Sequence, residues 1–177
     1  MTGEAAGRLG PVVQIAYATT DVRKAALRWH ELTGAGPFFV REHVPMAGVT
    51  SGGGPAVFDH SCALGQYGDV MIELVHHHAL EPQGLEDVMR RDGRGVHHVA
   101  HFVDDLEETR AFLESRDVPL VMDAQSEEVR FLFFDPGPEV GHLIECYEAT
   151  DYLRTLYAKV RRASVGWDGR NVLRERS

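Results

Sequence analysis

Gln14-Ile15-Ala16-Tyr17-Ala18-Thr19-Thr20-Asp21-Val22 and His98-Val99-Ala100-His101-Phe102-Val103-Asp104-Asp105-Leu106 can be laid over one another residue for residue. Each reads as a short β run ending in an acidic residue, and self-similarity of this kind is the first thing to seek in a chain. Asp21 and Asp105 stand where a helix N-cap belongs, accepting hydrogen bonds from the first free backbone amides. Helix-period stretches follow both: Val22, Ala25, Ala26 and Trp29 in the first, Leu106, Phe112 and Leu113 in the second.

Working outward, the first helix stops at Gly34-Ala35-Gly36-Pro37 and the second near Pro119. β-like segments come next: 38–44, 56–64 and 69–76 in the first half, 120–123, 129–134 and 142–147 in the second. The closing runs match again, Val70-Met71-Ile72-Glu73-Leu74 against His142-Leu143-Ile144-Glu145-Cys146. The reading is an α+β fold of two tandem βαβββ modules, 11–78 and 95–148, followed by a helical extension over 149–177. The second copy is shorter because glycine-rich 46–55 has no counterpart there. That stretch lacks the Lys-Ser/Thr of a phosphate-binding loop, so it reads as a mobile loop.

The 177 residues fit one domain or two small fused modules, and 44% hydrophobic with 25% charged residues is ordinary globular material. A formal net charge of −9 argues against nucleic acid or anionic membrane as the main partner. No apolar run approaches the ~20 residues needed to span a bilayer, and 1–10 lacks the apolar core of a signal peptide. Cys62 and Cys146 make no disulfide framework, so a reducing cytoplasm is expected, with both thiols packed in the core.

The chemistry rests on polar residues that share the repeat. Gln14 and His98 hold matching positions on the opening strands, and Glu73 and Glu145 hold matching positions on the closing ones. A polar side chain inside an apolar strand is costly to bury unless something satisfies it. Four such residues paired by internal symmetry point to one shared divalent cation. His97 is expected on the opposite face of its strand from His98. In His76-His77-His78 alternation separates the three rings, and only His77 can face the pocket. His30, His43, His60 and His142 read as surface or packing residues.

The quoted motifs, with Gly95-Val96-His97-His98-Val99-Ala100 and Gly141-His142-Leu143-Ile144-Glu145, resemble the vicinal oxygen chelate superfamily over residues 11–148. That group includes glyoxalase I, methylmalonyl-CoA epimerase, extradiol dioxygenases and bleomycin- or fosfomycin-resistance proteins. The resemblance implies a glyoxalase-like cup-shaped mixed sheet with one divalent metal (Zn, Ni, Co, Mn or Mg, with Fe disfavoured) on its floor, held by Gln14, Glu73, His98 and Glu145. The set is similar to that of glyoxalase I. It differs from the epimerase, which usually has His first and Gln second, and 134–141 lacks the epimerase His-Pro-Lys stretch. No glutathione-binding signature is recognisable.

The implied function is a metal-dependent lyase, isomerase or epimerase that moves a proton beside a metal-chelated carbonyl of a small molecule. By resemblance Glu145 is the base, with Glu42 a second candidate. The alternatives are a non-catalytic drug- or metabolite-binding resistance protein and an Fe(II) dioxygenase. In the extension, Tyr152, Leu153, Leu156, Tyr157 and Val160 share one helical face. Its basic residues Arg154, Lys159, Arg161 and Arg162 suggest a packing helix at a homodimer contact or a clamp for an acidic substrate such as an acyl-CoA.

Overall fold

Strands β1 (Val12–Ala18) and β7 (Val96–Val103) pair antiparallel at the centre of a single mixed sheet. The computed structural model describes residues 9–90 and 95–175. Beyond β1 lie β6 (Val70–Glu81), β5 (Val57–Tyr67) and β2 (Phe38–Arg41); beyond β7 lie β10 (Leu143–Glu148), β9 (Arg130–Phe134) and β8 (Leu120–Ser126). Each opening strand runs parallel to the closing strand of its own module, β1 to β6 and β7 to β10. The two halves therefore repeat one strand order about an axis between β1 and β7.

Helices α1 (Val22–Thr33) and α3 (Leu106–Glu114) make the parallel crossovers. The Asp21 carboxylate accepts from the amides of Arg23 and Lys24, and Asp105 accepts from Glu108, so both predicted caps form. α1 ends at Gly34, whose φ of 74° a side chain would oppose. α1 buries Val22 and Ala26 against Phe38, Ala63, Ile72 and Leu74. Symmetrically, α3 buries Leu106 and Leu113 against Leu132, Phe134, Ile144 and Cys146.

The other face of the sheet is covered by α4 (Asp151–Ser164), whose Leu153 joins Phe58, Phe131, Phe133 and Tyr147, and whose Val160 joins Phe39, Leu64 and Met71. The apolar stripe read from the sequence is the stripe that packs. Its basic residues Arg154, Lys159, Arg161 and Arg162 are exposed, and Arg161 pairs with Asp69 at 2.7 Å. None of the four lines the cup's cavity.

Segment 46–55 is not a loop. It forms a hairpin, β3 (Met46–Ser51) and β4 (Gly54–Pro55), turning through Gly52 and Gly53 at positive φ, and β3 pairs antiparallel with β8. Its side chains are small and lie at an edge, so no hydrophobic alternation marked it. Residues 42–45 alone separate β2 from β3, yet β2 and β8 belong to opposite wings of the sheet. The five steps from Arg41 to Met46 reach at most about 18 Å, so the sheet must curl until its wings approach. That closes the cup within one chain.

Two further elements escaped the sequence reading. α2 (Gln83–Met89) buries Leu85 and Met89 in the cup-face core. β11 (Leu173–Glu175) adds to the edge of β2, so the end of the extension is a strand and not a helix. The turn before it is anchored by Trp167, whose ring lies against His30 and fills the space a Cβ on Gly36 would need.

Candidate metal centre

Four adjacent strands, β6, β1, β7 and β10, present two rows of side chains. One row runs Glu73, Ala16, His98; the other runs Gln14, Ala100, Glu145. In each row an alanine separates the polar residues, and both alanines are fully buried. With strands about 4.8 Å apart, the missing bulk leaves a hollow into which the longer side chains lean from both sides.

They converge there. His98 Nε2 lies 3.2 Å from a carboxylate oxygen of Glu73 and 3.2 Å from one of Glu145. No well-formed hydrogen bond engages this buried nitrogen. Gln14 lines the same cavity, with its amide nitrogen 3.3 Å from Met71 Sδ, which leaves its oxygen free of that contact. The structure thus brings Gln14, Glu73, His98 and Glu145 to one place, and the last three have ligand atoms within 4.8 Å of one another.

His97 corrects the expectation from alternation. Between Ala16 opposite His98 and Tyr17 opposite Val96 the register shifts, so His97 is an extra residue with no partner on β1. Such a bulge re-aims a side chain, and both His97 and His98 line the cavity. The contacts of His97 fix its tautomer. Its Nε2 lies 2.9 Å from Met89 O, which can only accept, so Nε2 carries the proton. Its Nδ1 must then accept from His98 Nδ1, 2.8 Å away. His98 is left with Nε2 turned toward the two carboxylates, the hydrogen-bonded arrangement that orients a metal-binding imidazole.

The charges are strained. Burial works against a charge on His98, but Glu145 and Glu73 outweigh it and lift its pKa to about 9. Burial pushes the Glu145 carboxyl up, against the pull of His98 and with the repulsion of Glu73. For Glu73 burial also acts upward, yet the close approach and charge of His98 hold it below the usual range. Two buried carboxylates at one point are relieved by a proton on one of them or by a cation between them. A proton on His98 can serve, and so can a metal ion.

The surrounding cavity is about 120 Å³, lined by Phe58, Phe131 and Phe133 on the sheet and roofed by Tyr152, Leu153, Leu156 and Tyr157 of α4. The hydroxyls of Tyr147 and Tyr157 hydrogen-bond to each other. His77 reaches the cavity, as alternation along β6 predicted, while His76 and His78 stack on the opposite side with His43. His43, Asp59 and His78 form a second, exposed cluster in which His43 Nδ1 lies 2.8 Å from Asp59.

Glu42 is not brought to the site. It is exposed, bonded to Arg23 at 3.0 Å, and held at low pKa by the Ser61 hydroxyl and that guanidinium. His60 was read as a surface or packing residue and instead lines the cavity beside its stacking partner Phe58. The signal was available, since Phe58, His60, Cys62 and Leu64 alternate along β5 and all face the cavity.

The protein-family model for the glyoxalase/bleomycin resistance protein/dioxygenase superfamily matches residues 13–134, and the chain belongs to that superfamily. Among solved structures, methylmalonyl-CoA epimerase from Mycobacterium tuberculosis superposes with a TM-score of 0.54 at 19% identity, over 86% of this chain and 97% of that one. A hypothetical protein, BH1468 from Bacillus halodurans C-125, gives 0.54 at 21%, over 80% and 95%. A Streptomyces coelicolor methylmalonyl-CoA epimerase variant in complex with 2-nitronate-propionyl-CoA gives 0.51 at 17%, over 81% and 96%. At these identities the likeness is one of fold. No curated protein matches the chain.

The buried histidines make the protein acid-sensitive. Burial is the main cause that lowers His60 to about 4, His77 to about 2 and His97 to about 3, all below the unfolded value of about 6.5. Below pH 6.5 the unfolded chain binds protons that the folded chain refuses, so stability is full above that pH and is lost as pH falls. Each histidine removes up to about 1.4 kcal/mol per pH unit. His98, raised instead, has its contribution intact in this window and loses it only as pH rises through 9. Denaturant unfolding should therefore show stability falling steeply from pH 7 to pH 5, with a shallower slope in His77→Leu. A flat profile over that range would contradict the burial assigned to these rings.

Proposed function

We propose that this superfamily member is a metal-dependent enzyme of the lyase or isomerase type, whose Glu73, His98 and Glu145, with Gln14, hold one divalent cation. The observation that carries the reading is the His98 nitrogen set 3.2 Å from both carboxylates in a buried cavity, its tautomer fixed from behind by His97. One imidazole and oxygen donors suit Zn, Ni, Co, Mn or Mg. They do not match the two-imidazole, one-carboxylate set of Fe(II) oxygenases.

A divalent ion held there would supply Lewis-acid polarisation of paired substrate oxygens. The residues supply the rest. Glu145 is the proton carrier: its carboxylate lies in the cavity beside His98, where a substrate carbon next to the chelated oxygens would come within its reach. Glu73, on the other side of His98, would keep its negative charge against the cation. The aromatic walls and α4 give a small substrate an apolar surface to pack against. The resulting reaction class is proton removal and return beside a carbonyl.

Two outcomes test this. Ala16→Val fills the gap between Glu73 and His98, so it should cost about 1–3 kcal/mol of stability by overpacking yet lower metal content far more than stability, as read by elemental analysis of the folded variant. Full metal content there would reject the site. Wild-type protein should exchange the α-proton of some small 2-oxo or acyl-thioester compound for deuterium, and Glu145→Gln should fold but lose that exchange. Full exchange by Glu145→Gln would remove Glu145 as the base.

A further inference from the structure

Among the described residues, three buried side-chain polar atoms have no hydrogen-bond partner in the protein: His98 Nε2, His60 Nδ1 and His77 Nε2. All three belong to rings that line one cavity. A buried polar atom without a partner costs about 1–3 kcal/mol, so each needs a reason. The metal reading accounts for His98 only.

His60 and His77 are cross-strand partners in β5 and β6, are 8% and 6% exposed, and stand on the same face of β6 as Glu73 and Val75. Their rings are held in place. Phe58 stacks on His60 with centroids 4.2 Å apart, and His77 lies between Phe58 and His97 at 5.7 and 4.8 Å. His77 follows Glu73 by four residues on the same face of β6, and its ring lies 4.8 Å from that of His97, itself 5.1 Å from that of His98, so the pair stands one small ring away from the candidate metal. Strained, desolvated polar groups fixed by aromatic neighbours in a binding pocket are what specificity for a polar substrate group requires.

We infer that His60 and His77 are a recognition pair for an uncharged hydroxyl at the far end of the substrate, opposite the paired oxygens that the metal would take. This rests on the metal reading above. A hydroxyl both donates and accepts, so it satisfies either imidazole tautomer. A carboxylate there would enter a cavity that already holds Glu73, Glu145 and Glu128, with Arg41 as the one Lys or Arg in its lining and that one set toward Glu128. The substrate class is then a compact, ring-sized molecule with adjacent oxygens at one end and a hydroxyl at the other. A 120 Å³ cavity walled by three phenylalanines suits such a body, being close in size to a cavity known to take benzene.

Benzohydroxamate, whose two neighbouring oxygens chelate metals, is the probe, with its meta- and para-hydroxy derivatives. Calorimetry on metal-loaded protein should show at least one hydroxy derivative binding tenfold or more tighter than the parent. In His60→Leu and in His77→Leu that ratio should collapse to about one. Melting of the unliganded variants supplies the second readout: removing an unsatisfied polar atom should hold or raise the midpoint. No gain from either hydroxyl, a gain that survives both substitutions, or midpoints lowered by several degrees would each overturn the recognition role. Benzohydroxamate binding that does not depend on metal would overturn the metal reading beneath it, and this inference with it.

Discussion

Two carboxylates share one buried point, and everything else in the protein is arranged around that repulsion. Glu73 and Glu145 approach the same nitrogen of His98 from opposite sides, in surroundings too apolar to screen them. A cation or a shared proton between them makes the arrangement tenable. The internal repeat explains how the chain reaches it. A pseudo-two-fold axis brings each closing strand beside its opening strand, so each module contributes a glutamate, and the facing alanines keep the space between them open.

The cup follows from the same duplication. Short connections force the two wings of the sheet together, and the hairpin at 46–55 ties one module to the outer strand of the other. α4 then lays its apolar stripe across the mouth. What results is a pocket with charged groups on its floor, aromatic walls, and two unsatisfied imidazoles beside them.

Much of this was legible in the sequence because the informative residues were duplicated. Gln14 with His98, Glu73 with Glu145, and Asp21 with Asp105 each announced a role by recurring at a matching place. What was hidden depends on pairing and not on pattern. The bulge at His97 exists only because β7 slips against β1, and no periodicity within Val96–Val103 reveals it. The hairpin was masked by glycines that serve a turn. β11 is three residues long, and its partner strand lies far away in sequence. His60 was discounted for want of a repeat partner, although the alternation of β5 placed it in the pocket.

The shared-cation claim is tested most directly by diffraction from crystals grown with zinc, with data collected on both sides of the zinc absorption edge. A single anomalous peak within bonding distance of His98 Nε2 and of the Glu73 and Glu145 carboxylates is the predicted result. Zinc bound only elsewhere, with His98 still facing an empty gap between the two glutamates, would contradict the account.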